Sequence, residues 1–162
     1  MKWILIVSAV ILTAVIAIWL IGRSLPVSHT VTVDRAIDDA PERVWSRIRN
    51  VESWPEWRND VTSVERRSDE TIEVVDGNGS VRYSVDEPSE RTLITTISSE
   101  NLPWGGRWIW TVVPEGTGSR VTITEEGEVY NPIFRFLSRY VFGHETSART
   151  ALDQLESASL RD

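Results

Sequence analysis

Cysteine is absent from the 162 residues, which excludes disulfides, thiol nucleophiles and thiolate metal sites. Lysine occurs once, at Lys2, so the remaining positive charge is carried by arginine. Histidine occurs twice, at His29 and His144, without a ligand spacing to carboxylates, so no metal site is expected. No serine stands in a nucleophile-elbow motif, and neither histidine sits in a recognisable triad context. Internal repeats and low-complexity tracts are missing too, and no cofactor is expected. Positive charge is also in short supply. Beyond the first apolar stretch 16 arginines face 24 carboxylates, a balance of −8 within a formal net charge of −7. Such a surface neither neutralises phosphates nor adheres broadly to anionic lipid, so a nucleic-acid partner is not expected.

What is present begins with residues 3–21, an unbroken apolar run in which only Ser8 and Thr13 are mildly polar. At about 1.5 Å per residue these 19 residues span about 28 Å as a helix, close to the hydrocarbon thickness of a bilayer. Trp3 and Trp19 stand near its two ends, where indoles favour the interface, and Lys2 and Arg23 bracket it. The rival reading is a cleaved signal peptide. The run exceeds a signal core of about 7–15 residues, and Gly22-Arg23-Ser24 followed by Pro26 is a poor cleavage site. A single-pass anchor over residues 1–24 is therefore expected, then a linker over 25–28 and one domain over 29–159. Lys2 and the terminal amine slightly outweigh Arg23, which favours an extracytoplasmic domain.

Residues 29–35 alternate and are β-branched, predicting a strand. Asp38-Asp39-Ala40-Pro41-Glu42 predicts a helix start with an aspartate as N-cap and Pro41 in the first turn. Val44, Trp45 and Ile48 give that helix an apolar face, and Trp54-Pro55-Glu56-Trp57 closes the region. Strands are predicted over 61–65, 71–75, 80–85, 91–98, 108–113 and 120–130, separated by turn signals such as Asp76-Gly77-Asn78-Gly79. The short links favour antiparallel pairing. Asn131-Pro132 opens a final helical stretch to about residue 159, with Phe134, Leu137, Val141, Leu152 and Leu155 on its apolar side and Gly143 as a point where it kinks or splits. The order predicts an α+β domain, an antiparallel sheet covered by a long C-terminal helix.

That order and four local strings resemble the SRPBCC superfamily, the START-like or helix-grip proteins that include polyketide cyclase/dehydrase-type domains. The strings are Ile37 through Trp45 (IDDAPERVW), Trp54-Pro55-Glu56-Trp57, Arg120 through Glu128 (RVTITEEGE) and Asn131 through Phe136 (NPIFRF). The resemblance spans roughly residues 29–155. It implies a curved antiparallel sheet wrapped around the C-terminal helix, a cavity between them, and ligand entry near the loops and small helices. It does not choose among lipid carriers, receptors and cyclases.

Eight tryptophans are present, six of them beyond the apolar run. Trp108 and Trp110 share a strand face with Val112, as do Val81, Tyr83 and Val85, and Val121 with Ile123. These side chains either fill a core or wall a cavity suited to sterols, acyl chains or polycyclic compounds. Trp57, Tyr83, Trp104, Trp108, Trp110, Ile123, Phe134 and Leu137 are the residues expected to line it. Trp104-Gly105-Gly106-Arg107 is read as a bulge, an edge loop or an entrance loop. Glu125, Glu126 and Glu128 form the densest carboxylate group. The group is read chiefly as a solvated sheet face or as partners of Arg107 or Arg135, and Arg135 as a tie from the last helical stretch to the preceding strand. The expected function is binding of a hydrophobic small molecule or lipid by a membrane-tethered monomer, with no catalytic residue assigned. An enzyme of the cyclase or dehydrase kind would need Tyr83, Glu126 or His144 inside the cavity. A non-catalytic protein-interaction domain is the third possibility.

Overall fold

The computed structural model describes residues 2–77 and 79–161, so Asn78 of the predicted 76–79 turn lies outside the described residues. The apolar run forms α1 (Lys2–Ser24), which projects from the domain with its apolar window wholly unburied. Only Gly22, at its C-terminal end, is covered.

β1 (Ser28–Ile37) follows, then α2 (Pro41–Arg49), a 3-10 turn (Val51–Ser53) and the short α3 (Trp54–Trp57). Six strands come next: β2 (Val61–Ser68), β3 (Thr71–Asp76), β4 (Gly79–Ser89), β5 (Thr92–Ile97), β6 (Trp104–Glu115) and β7 (Gly118–Val129). They form one seven-stranded antiparallel sheet in the order β1-β7-β6-β5-β4-β3-β2. The consecutive strands pair as a meander because their links are too short for crossovers. Edge strand β2 carries Glu65, Arg66 and Arg67, charges that discourage pairing with another chain.

Two local expectations need correction. The N-cap of α2 is Ala40, which has no capping side chain. Asp39 lies one residue too early, so its carboxylate accepts from the Ala40 amide at 2.8 Å and pairs with Arg43. Burial alone would raise the Asp39 pKa. The bonds from Arg43 and Ala40 outweigh it and hold the pKa below the usual carboxylate range.

The C-terminal stretch divides at the anticipated glycine. Asn131 caps α4 (Pro132–Leu137) by accepting from the amides of Ile133 at 2.9 Å and Phe134 at 3.3 Å. The chain then widens into a π-turn (Ser138–Phe142), stops at Gly143 with φ 78° and resumes as α5 (Thr146–Ser159). Of this stretch, α5 is the part that buries its apolar face in the core, on the same sheet that α2 packs against. It buries Ala148, Ala151, Leu152, Leu155 and Ala158, whose mostly small side chains let it lie close against the strands. Phe134 and Val141 are exposed instead, because α4 turns away to pack on the end of α1, where Gly22 lies against Pro132. The core itself joins Val33, Val44, Ile48, Ile72, Leu93, Val121 and Ile123 with α5 around the fully buried Trp110.

Candidate functional site

The core is incompletely filled at one end. A cavity of about 670 Å³ opens between the sheet, the α3 region and the start of α5. Its apolar walls come from Trp54, Val61, Val74, Ile97, Trp104 and Trp108, and its many polar groups include His29, Arg58, Asp60, Asp76, Tyr83, Thr95, Glu125 and Glu128. Strand parity decides who faces inward. On β7 the odd positions Val121, Ile123, Glu125 and Gly127 face the interior, leaving Glu126 on the outer face.

Trp110 holds the indole wall in place. It packs edge-on against Trp57 at 6.4 Å between ring centroids, and lies 5.8 Å from Trp108 and 6.4 Å from Trp54. Arg58 is 8% exposed, and its guanidinium lies 5.0 Å from the Trp54 ring and 5.6 Å from the Trp108 ring. Asp60 neutralises it at 2.6 Å. Burial pushes the Tyr83 phenol up to about 12, so it remains a neutral hydrogen-bond donor at physiological pH.

A polar chain crosses the sheet beside this wall. Trp108 and Glu125 are directly paired across β6 and β7, and the indole N–H donates to Glu125 Oε2 at 2.9 Å. Glu125 Oε1 lies 3.2 Å from His29 Nε2 on β1. The His29 ring reaches Glu125 because its pairing partner on β7 is Gly127, where any Cβ would overlap the imidazole. His144, just after Gly143, stacks on His29 with ring centroids 3.8 Å apart. Burial, then the neighbouring His29, hold the His144 pKa below its ordinary value and favour the neutral ring. Among the described residues no group of three or more His, Asp or Glu side chains is arranged to hold a metal ion.

Of the eight residues expected to line a cavity, Tyr83, Trp104 and Trp108 do so. Trp57, Trp110 and Ile123 lie in the packed core behind it. Phe134 is exposed and Leu137 half-buried on α4, outside the cavity, for the reason given above. Glu126 faces outward and pairs with Arg107 at 2.7 Å. Arg135 donates to the carbonyls of Leu25 at 2.9 Å and Tyr130 at 3.1 Å, so it ties α4 to the linker rather than to a strand carboxylate. Gly105 and Gly106 lie within β6, in unbroken register with β7, and form neither a loop nor a bulge. Their other edge is open, since β5 pairing ends at Arg107. His29, Arg58 and Glu125 also line the cavity and stand outside the expected set. Counting by twos from Val33 and Ile123 finds the first and last. Arg58 is the C-cap residue of the short α3, outside any strand, and leaves no such signal.

The family model described as polyketide cyclase / dehydrase and lipid transport matches residues 28–159. No curated protein matches the chain. Among solved structures, a START superfamily protein from Mycobacterium smegmatis is similar at a TM-score of 0.68 and 15% identity, over 82% of this chain and 98% of that one. The protein TTHA0849 from Thermus thermophilus is similar at 0.66 and 24% identity, over 82% and 98%. The di-domain ARO/CYC StfQ of the steffimycin biosynthetic pathway is similar at 0.66 and 11% identity, over 83% of this chain and 51% of that one. At these identities the likeness establishes the helix-grip fold.

Proposed function

The chain belongs to the polyketide cyclase/dehydrase and lipid transport family, and from that membership we propose that it holds a hydrophobic small molecule or lipid in the cavity between sheet and C-terminal helix, without catalysis, while α1 tethers it to a membrane. One observation carries the reading: a cavity of about 670 Å³, the size of a small-ligand site, walled on one side by Trp54, Trp104 and Trp108 and carrying polar groups that include Arg58, Asp60, Tyr83 and Glu125. Tyr83 and Arg58 offer donors, so the favoured ligand is greasy with at least one accepting oxygen. A tether raises the effective concentration of bilayer-borne ligands at the cavity. The domain is placed outside the cytoplasm in this reading, and a C-terminal reporter that is active only there tests it directly.

Native mass spectrometry of the full chain released from nanodiscs tests the binding reading. It predicts a small hydrophobic adduct that collisional activation ejects. A chain that carries no adduct, even after incubation with a mixed lipid extract, would overturn it.

A second reading, chemistry of the cyclase or dehydrase kind, is favoured by the Glu125–His29 contact, which lines the same cavity as Tyr83. A carboxylate–imidazole pair can move a proton, and a neutral phenol can stabilise a developing oxyanion. Recovery of a chemically altered ligand from wild type but not from Glu125→Gln would select this reading over simple binding.

A further inference from the structure

A run of large apolar side chains lies outside both the core and the cavity. Phe134 is 45% exposed, Tyr140 60%, Val141 60% and Phe142 63%, all on α4 or the π-turn. Exposure on this scale in one short segment marks a contact surface. Its position says with what. Gly22 at the end of α1 lies against Pro132, the first residue of α4, and Arg135 is bonded to the Leu25 carbonyl. The segment is therefore fastened to the end of the apolar helix. At that same level the Arg23 guanidinium sits 5.3 Å from the Trp19 ring, a pair suited to headgroup depth.

Charge agrees with position. The chain has 24 carboxylates, yet none falls within residues 129–144, which hold Arg135 and Arg139, nor within 20–33, which hold Arg23. The two segments beside the anchor thus carry only basic charge, with Glu128, opposite Ser28, and Glu145 at their margins, so repulsion from an anionic leaflet is reduced there.

We propose that the outer surface of α4 and the π-turn, centred on Phe134, Tyr140, Val141 and Phe142, is seated in the interfacial region of the same bilayer that α1 enters. This rests on the tether reading above. Tyr140 is a belt residue with a polar tip, while Val141 and Phe142 reach the acyl boundary, as in helices that lie in an interface. Two attachments fix the domain's orientation where a single helix would leave it free to rotate. A cleft of about 220 Å³, lined by Leu25, Pro26, Arg135, Tyr140 and His144, then faces lipid. His29 lines both this cleft and the large cavity, so the stacked His29–His144 rings stand between bilayer and binding site.

The cysteine-free chain makes the test clean. Single nitroxide labels on Val141→Cys, Phe142→Cys, Ile11→Cys and Val113→Cys, all exposed positions, are placed in the full chain and reconstituted in nanodiscs of neutral and anionic phospholipid. Electron paramagnetic resonance then compares accessibility to oxygen and to a water-soluble nickel chelate. The expected oxygen-to-nickel ratio at Val141 and Phe142 is several-fold above that at Val113 and approaches that at Ile11. If Ile11 reads as hydrocarbon while Val141 and Phe142 read like Val113, the anchor stands and the seated surface is wrong. If Ile11 itself is open to nickel, the tether reading fails and this inference with it.

Discussion

At the scale of single residues, the most informative group is His144. It sits against His29 of β1, Glu125 of β7 and Arg139 of the π-turn. Burial and then His29 depress its pKa below the ordinary 6.5, and Glu125 only partly offsets them. An unfolded chain regains the ordinary value. Below about pH 6.5 the unfolded state therefore binds the proton first, and stability falls as pH falls towards the depressed value. Denaturant titrations of the full chain in detergent, run from pH 8 to about pH 5, are predicted to fall in this way, with a shallower slope in His144→Gln. Identical slopes would contradict the neutral stack. Neither histidine's role was legible in the sequence, since 115 positions separate two side chains whose rings stack. Glu125 was closer to view. Ile123 was expected to face inward, and the same parity applied two residues further would have found it.

At the scale of elements, the strands were readable because alternation, β-branched residues and turn signals agreed with one another. The final helical stretch was readable only in part. Phe134, Leu137 and Val141 share a helical face with each other, and periodicity alone cannot say what that face meets. Gly143 decides the matter. Its φ of 78° with ψ 140° lies outside the space open to other residues, so the chain turns there and α5 alone returns to the sheet. Gly143→Ala is predicted to cost roughly 1–3 kcal/mol, because the backbone must keep that conformation or release the π-turn. Chemical denaturation of the full chain measures this directly. A neutral effect would mean that the break between π-turn and α5 is not held by the glycine. Leu155→Ala, which leaves a cavity under α5, is expected to cost about 2–5 kcal/mol by the same assay.

At the scale of the molecule, the two proposals together make the apolar helix, the exposed aromatic surface and the tryptophan-walled cavity one path from bilayer to interior. Composition made the helix plain, and the resemblance over most of the remaining chain made the fold plain. The cavity's extent was not legible, because Trp57, Trp110 and Ile123 have the same strand and helix patterns as true wall residues and differ only in what packs over them. The central claim is that a bilayer-borne hydrophobic molecule occupies the cavity. Full-length protein in nanodiscs containing a phospholipid with a diazirine in its acyl chain, irradiated and mapped by peptide mass spectrometry, addresses it most directly. The account predicts adducts on cavity residues such as Trp104, Trp108 and Tyr83, as well as on α1. Adducts confined to α1 and the π-turn, with none inside the sheet, would contradict it.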